Sequence, residues 1–357
     1  MNFWENINGK DQMNNKIALI GDTHFGIKKG VDWFFNSQLN FLKDEFIPYL
    51  KKSGIKNIVF LGDIFDNRIA VDVKIQNIIF DFFKNDLKDF NVFIILGNHD
   101  IYLNSSLKYF SLKYLSLLKN INIIDKIQTI KICDVNLLAV PWQVNKKDFN
   151  NYISNNVIDS KVLLGHFAIK GFKFNKHVIN TDGFDNEIFY NNFDLTFSGH
   201  FHTRSKQKKS NNEIIFIGSS YQLTRNDIDE EKGFCVLDIN TLKYEYVNNN
   251  TSVKYIDITY PQTISSELIK NNIIDINIEY TDDCNESKIQ KYIKKVESYE
   301  PIQTQLKIKN NLLNEVINDC DIKNSYDLMY EYVKKQNFKD ESNIYKILEM
   351  LYEEAKE

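Results

Sequence analysis

Five short glycine-containing motifs hold five of the six histidines of this chain, together with several aspartates and one asparagine. In chain order they are Gly21–His24 (GDTH), Gly62–Asp66 (GDIFD), Gly97–Asp100 (GNHD), Gly165–His166 (GH) and Gly199–His202 (GHFH). Imidazole and carboxylate groups together suit Mn²⁺, Fe²⁺ or Zn²⁺, whereas Ca²⁺ prefers all-oxygen ligands. Each motif alone is as well explained by a turn or a capping residue, but their combination predicts a metal site.

The elements before the first three motifs predict a parallel sheet. Apolar, strand-length runs cover Lys16–Asp22, Asn57–Asp63 and Asn91–Gly97, and helical spacing of apolar residues covers Gln38–Lys52 and Val71–Phe83. Strand, helix and strand at this spacing indicate right-handed crossovers. Ligands of such a sheet bind beyond the carboxyl ends of its strands, where the motifs stand.

The second half of the chain is rich in predicted strands. They cover Asn122–Ile124, Thr129–Ile132, Val135–Val140, Val162–His166, Leu195–Ser198 and Glu213–Gly218, followed by a hairpin of Gly233–Asp238 and Lys243–Val247. The fold class predicted is therefore α/β (α+β), a β-sandwich of two sheets flanked by helices.

Changes of composition predict four regions. Residues 1–15 form a polar extension, residues 16–250 the main domain, residues 251–310 a small α/β domain and residues 311–357 a charged helical segment. The boundary near residue 250 rests on the polar run Asn248–Ser252, which is typical of a linker.

Composition excludes several classes of protein. The 357 residues carry a formal net charge of −4 and are 43% hydrophobic, so a large core is expected and disorder of the whole chain is not. Four scattered cysteines argue against a disulfide framework or a thiolate zinc site, and they suit a reducing cytoplasm. No apolar run is long enough for a membrane span, and the N-terminus lacks the apolar core of a secretory signal.

The order of the motifs resembles that of the calcineurin-like metallophosphoesterase superfamily. Within it, the chain is similar to the SbcCD-type double-strand-break-repair nucleases of bacteria and phages. The resemblance spans Lys16 to Val247 and rests on GDTHFG, GDIFDNR, LGNHD, LGHF, SGHFH and IGSSYQLTRND (Ile217–Asp227). The phosphoprotein phosphatases of the superfamily carry Glu where this chain has Asp100 and Asp-Arg-Gly where it has Asp66-Asn67-Arg68, which counts against that branch.

The resemblance implies two divalent ions, with Mn²⁺ favoured and Mg²⁺, Fe²⁺ or Zn²⁺ as alternatives. It assigns Asp22, His24 and His202 to one ion, Asn98, His166 and His200 to the other, and Asp63 to both. His99 is implied as the catalytic imidazole, with Asp100 orienting it. A hydroxide shared by the ions is expected to attack phosphorus in a phosphodiester.

Basic residues beside the motifs predict a rim that contacts nucleic acid. They are Lys28, Lys29, Arg68, Lys170, Lys173, Arg204 and Lys206. Loops at one end of a sheet can collect such charges for phosphate binding, although ordinary solvated loops would have the same composition.

The resemblance also implies partners: DNA, a second copy of the chain and an SbcC-like coiled-coil ATPase. The predicted helix Tyr102–Lys119 would form the homodimer interface, residues 251–310 would cap the DNA site, and residues 311–357 would dock on the ATPase. Ordinary helices packed on their own domain explain the last segment almost as well.

The leading interpretation is a metal-dependent DNA exonuclease and endonuclease, acting in DNA end processing, recombination and repair. Two alternatives are a stand-alone phosphoesterase for small diesters or phosphoproteins, and a DNA-end-binding scaffold for the ATPase. The basic rim and the extra domain weigh against the first alternative. The complete set of metal ligands weighs against the second.

Overall fold

The computed structural model describes residues 15–174, 176, 178–280 and 285–310. The predicted extension 1–15, apart from its last residue, and the predicted helical segment 311–357 lie outside the described residues.

The described strands are, in chain order, β1 (Lys16–Ile20), β2 (Asn57–Phe60), β3 (Asn91–Ile95), β4 (Ile121–Ile124), β5 (Gln128–Ile132), β6 (Val135–Val140), β7 (Val162–His166), β8 (Leu195–Gly199), β9 (Ser205–Lys209), β10 (Asn212–Phe216), β11 (Gly233–Asp238), β12 (Lys243–Asn248), β13 (Tyr255–Thr259), β14 (Ile273–Tyr280) and β15 (Gln303–Asn310). The α-helices are α1 (Asp32–Asn40), α2 (Ile47–Lys52), α3 (Val73–Asp81), α4 (Lys146–Asn155), α5 (Glu187–Tyr190), α6 (Ser266–Ile269) and α7 (Glu286–Glu297). Short 3₁₀ segments lie at Ile27–Gly30, Tyr102–Asn104, Lys113–Leu117 and Arg225–Asp227, and π-helical segments at Phe41–Phe46 and Phe82–Asp86.

Two six-stranded sheets carry the site. The first has the order β12-β11-β1-β2-β3-β4, and the second has the order β5-β6-β7-β8-β10-β9. Strands β1 to β4 are parallel to one another, as are β6, β7, β8 and β10. Their carboxyl ends therefore meet at one edge of each sheet.

The sheets stack face to face through alternate residues. Ile17 and Leu19 of β1 pack with Leu164 of β7 and Phe197 of β8 in one apolar cluster. The other face of the first sheet packs on helices α1 to α3, and that of the second sheet packs on α4 and α5. Because both faces are buried, the parallel strands are mostly apolar. The predicted sandwich of two sheets flanked by helices is confirmed.

One predicted element differs from the structure, and one strand of the structure was not predicted. The predicted helix Tyr102–Lys119 is two short 3₁₀ segments joined by turns, and Leu103 and Asn104 have φ of 49° and 50°. Strand β9 was not predicted, because its sequence SKQKK has no apolar residue; it pairs with β10 at the edge of its sheet, where lysines are common.

The described chain divides into two compact units. Of the described residues, the first unit holds those up to Asp257, with Ile264–Asp275 and Tyr299–Thr304. The second unit holds Ile258–Thr263 and the described residues of 276–298 and 305–310. Strands β13, β14 and β15 form a three-stranded sheet in that order. None of the described helices has the length and hydropathy needed to cross a bilayer.

Candidate metal centre

The ends of five strands deliver the motif residues to one place. Asp22, Asp63 and Asn98 follow β1, β2 and β3 of the first sheet, whereas His166 ends β7 of the second sheet. The loops are tied together, since the backbone N–H of His24 donates to the carbonyl of Asp63 at 2.9 Å. Each sheet therefore contributes part of one site.

Asp22, His24 and His202 form the first candidate metal group. Each offers a ligand atom, and these atoms all lie within 4.8 Å of one another. The Nε2 atoms of His24 and His202 are 3.1 Å apart. Oδ1 of Asp22 accepts the backbone N–H of His200 at 2.9 Å, but its Oδ2 is buried and has no hydrogen-bond partner among the described residues. A buried carboxylate oxygen without a donor fits a cation at this position.

Asp63, His166 and His200 form the second group, by the same distance criterion. Oδ1 of Asn98 joins them, 3.0 Å from Nε2 of His166 and 3.0 Å from Nδ1 of His200. Nδ1 of His166 lies 2.6 Å from the carbonyl of Leu61 and donates to it. That bond leaves Nε2 of His166 as the ligand atom, a usual arrangement for metal-binding histidine.

Asp63 faces both groups. Its Oδ2 is 3.3 Å from Nε2 of His166 and 3.7 Å from Nε2 of His24. Its Oδ1 accepts the backbone N–H of His99 at 2.8 Å. Oδ2 therefore lies between the two groups.

Charge and burial set the protonation of the site. Burial together with the neighbouring His166 lowers the pKa of His200 to about 3, and burial together with His24 lowers the pKa of His202 well below its ordinary value. These two imidazoles are therefore neutral, the form that binds metals. Burial opposes the charge of His166, but Asp63 and Asp22 outweigh it and raise its pKa to about 9. Burial likewise opposes the charge of Asp63, and His166 outweighs it, holding its pKa well below the usual range.

Three of the predicted ligands have strained backbones. His24, Asp63 and His200 have φ of 43°, 54° and 89°, in a region that residues other than glycine rarely adopt. Strain of this kind costs about 1–3 kcal/mol per residue and concentrates at functional sites. Gly62 permits the close approach of the two sheets, because a Cβ there would lie 2.4 Å from Nδ1 of His166.

His99 stands beside the metal groups with its ring held in place. Its Nδ1 lies 2.5 Å from the carbonyl of Asp66 and donates to it, so Nε2 is the free nitrogen. Nη2 of Arg68 lies 3.3 Å from that Nε2. Burial, with a further contribution from His24, lowers the pKa of His99 despite the charge of Asp63.

Asp100 does not orient His99, contrary to the sequence prediction. Its carboxylate accepts the backbone N–H groups of Gly97, Asp63 and Ile64 at 2.8, 2.9 and 2.9 Å. Those bonds use both oxygens and clamp the loops that carry Asn98 and Asp63. Burial and the charge of Asp63 raise the pKa of Asp100 to about 7.

Asp66 is a residue that sequence reasoning left out of the site. Its Oδ1 is 3.2 Å from Nδ1 of His24, and its carbonyl holds His99. With these two histidines it forms a third cluster of possible ligand atoms. The sequence could have indicated this role, because Asp66 lies three residues after Asp63 in the same motif.

The structure does not bring all the predicted basic residues together. Arg68 contacts His99, and Lys29 and Lys173 are exposed. The other four are engaged elsewhere: Lys28 over the rings of Phe34 and Tyr255, Lys170 with Asp185, Arg204 with Asn248 and over Tyr246, and Lys206 over Tyr244. Arg204 is the clearest difference, because its side chain is only 13% exposed.

The donor set therefore fits two divalent cations. Comparison with known proteins places the chain in a family that binds divalent metals. The model of the calcineurin-like phosphoesterase family matches residues 15–204. The chain belongs to this family. Its members bind divalent metals, so the resemblance predicted from the motifs is confirmed.

One relative of this phosphoesterase is exonuclease subunit 1 of enterobacteria phage T4. It is 27% identical over 323 residues, which cover 89% of this chain and 92% of the relative. Two solved structures are also similar. A hypothetical protein of Pyrococcus horikoshii OT3 is 12% identical, with a TM-score of 0.38, over 66% of this chain and 88% of its own. GAP50, the anchor in the inner membrane complex of Plasmodium, is 12% identical, with a TM-score of 0.39, over 83% and 98%.

Proposed function

We propose that this phosphoesterase is a DNA nuclease that hydrolyses phosphodiester bonds with two divalent ions, preferably Mn²⁺. Asp22, His24 and His202 hold one ion, and His166, His200 and Asn98 hold the other, with Asp63 shared. The observation that carries the proposal is the position of Asp63 Oδ2, 3.3 Å and 3.7 Å from imidazoles of the two groups. A shared carboxylate of this kind is typical of paired-ion phosphoesterases, which bind anionic phosphates.

The ions supply positive charge for the diester and lower the pKa of a water molecule. The chain itself supplies the proton chemistry. With Nδ1–H of His99 bound to the carbonyl of Asp66, Nε2 is the atom that can exchange a proton with the leaving oxygen. The anionic substrate favours the protonated imidazole, which opposes the effect of burial. Arg68 lies beside Nε2 and contributes a fixed positive charge for a phosphate oxygen.

DNA is the proposed substrate, in end processing, recombination and repair within the cytoplasm, which is that of the host if the chain is phage-encoded. The T4 relative is named an exonuclease subunit, and the match covers 92% of it. We extend this to an SbcC-like coiled-coil ATPase partner that docks on residues 311–357, and to a capping role for residues 251–310. Of the basic residues, Arg68, Lys29 and Lys173 remain available for phosphate contacts.

A homodimer is the proposed assembly, and an exposed apolar surface supports it. Ile69 and Tyr109 are 68% and 60% exposed, and with Tyr102 and Phe110 they line a groove of about 490 Å³. Monomeric proteins rarely leave adjoining large apolar residues in water. Tyr109→Asp is expected to convert a dimer to a monomer, measured by light scattering during gel filtration. A wild-type monomer at micromolar concentration contradicts this assembly.

One assay tests the function. Purified protein with Mn²⁺ is given an end-labelled duplex and, separately, bis(p-nitrophenyl) phosphate, with and without the ATPase. Cleavage of the duplex that is lost in His99→Ala supports a nuclease. Turnover of the chromogenic diester alone supports a small-diester phosphoesterase instead. Duplex binding without any hydrolysis supports a scaffold.

A further inference from the structure

Trp142 packs against two of the predicted metal ligands. Its indole centroid is 4.9 Å from that of His200, with the rings tilted by 45°, and 5.9 Å from that of His166, edge to face. Its backbone N–H donates to the carbonyl of Leu96 at 2.8 Å, directly before the motif that carries Asn98. Trp142 therefore contacts two ligands carried by its own sheet, and its backbone is bonded to the residue that follows β3 of the other sheet.

His200 differs from His166 in what holds its ring. Nδ1 of His166 is fixed by a carbonyl, so a hydrogen bond sets the plane of that imidazole. In the described part of the chain, the side chain of His200 has one hydrogen bond, from Nδ1 to Asn98, which itself belongs to the metal group. Its backbone is also strained, with φ of 89°. The plane of the His200 ring must then be set by the rings that pack on it.

Three aromatic rings pack on the ring of His200, one of which is the imidazole of His166 at 5.2 Å between centroids. Phe201 lies 5.0 Å from His200 by centroid, and Trp142 lies 4.9 Å away. Phe201 is fully buried in a different apolar cluster, whereas Trp142 is half-buried at the edge of the site. Core packing explains the position of Phe201. Trp142 also packs against the apolar cluster of the first sheet, but it additionally contacts two metal-binding imidazoles.

We propose that Trp142 is a positioning residue for the second metal ion, acting through the imidazole of His200. It takes the place of the hydrogen bond that orients most metal-binding histidines. This inference rests on the two-ion function proposed above. Loss of an orienting partner of a metal-binding histidine typically weakens metal affinity about 10- to 100-fold.

The test is Mn²⁺ binding, measured from the EPR signal of free Mn²⁺, in Trp142→Leu and Trp142→Phe. The leucine variant is expected to bind one of two ions about 10- to 100-fold more weakly, and the phenylalanine variant to stay within about threefold of the wild type. Trp33→Leu is the matched control, since Trp33 is half-buried but packs on Phe34 instead. If the leucine variant does not fold, Trp142→Met carries the same expectation.

A double-mutant cycle with His200→Ala tests whether Trp142 affects Mn²⁺ affinity through the imidazole of His200. In that background, replacement of Trp142 should cause no further loss of affinity. An independent further loss overturns the inference, as does a leucine variant that binds both ions normally, or a phenylalanine variant as weak as leucine. A wild-type protein that binds no Mn²⁺ contradicts the proposed function itself.

Discussion

Neighbouring residues His99 and Asp100 are expected to fail in different ways when replaced by alanine. Asp100→Ala removes the acceptor of three buried backbone N–H groups, on Gly97, Asp63 and Ile64. Each buried group left without a partner costs about 1–3 kcal/mol, so the free energy of unfolding should fall by at least ~3 kcal/mol. His99→Ala loses one side-chain bond to a carbonyl, worth about 1 kcal/mol, and a longer, partly exposed contact with Arg68.

Thermal unfolding of the metal-free protein, followed by circular dichroism, measures the difference. At about 2–4 °C per kcal/mol for a domain of this size, Asp100→Ala should lower Tm by at least ~6 °C and His99→Ala by roughly 2–4 °C. The functional readouts should diverge as well. Asp100→Ala is expected to lose Mn²⁺ affinity, since its partners hold Asp63 and Asn98, whereas His99→Ala should keep both ions and lose hydrolysis.

Asp100→Asn is the matched control, because its amide keeps the size of the side chain and one acceptor oxygen. We expect its Tm between those of the wild type and Asp100→Ala. An Asp100→Ala variant as stable as the wild type would contradict the role of the Asp100 carboxylate in holding the two loops. Equal loss of Mn²⁺ in His99→Ala would make that residue a ligand rather than the proton-transfer group.

Three further predictions follow from the site. Chelation with EDTA should abolish hydrolysis, and added Mn²⁺ should restore it without any unfolding and refolding step. Activity that survives chelation and dialysis contradicts the metal assignment. Arg68→Gln should weaken duplex binding and reduce the slope of log affinity against log salt by about 1, whereas Lys206→Gln, whose ammonium lies over Tyr244, should leave the slope unchanged. Gly62→Ala places a Cβ 2.4 Å from Nδ1 of His166 at a φ of 101°, so we expect loss of Mn²⁺ binding. Normal binding in isothermal titration would show that His166 and the backbone at residue 62 can move apart.

Much of the fold and most of the metal centre could be predicted because the signals are local. Asp22, Asp63 and Asn98 each follow an apolar run, and parallel strands place their carboxyl ends at one edge. The family motifs then suggested which of these residues are ligands, and the structure brings those residues together. The same local signals gave the strands of the second sheet to within one or two residues, apart from β9.

The predictions that failed did so for two reasons: local hydrogen bonds that compete with helix formation, and contacts between residues distant in the sequence. Tyr102–Lys119 has apolar residues at helical spacing, but Ser105 bonds the carbonyl of Tyr102 through its own side chain, and such bonds compete with helix formation. The role of Asp100 could not be predicted, because it depends on backbone N–H groups of a different loop. Trp142 joins the site through ring contacts with His166 and His200, which lie at the ends of neighbouring strands of its sheet, and no spacing in the sequence records those contacts.

The division of ligands between the sheets has a consequence for chains that are incompletely folded or have been cleaved. Asp22, His24, Asp63 and Asn98 come from the first sheet, and the remaining three histidines come from the second. A nascent or cleaved polypeptide that has formed only one sheet has neither complete ion pocket. Hydrolysis would thus begin only when both sheets have formed, so a partly folded or cleaved chain would be inactive.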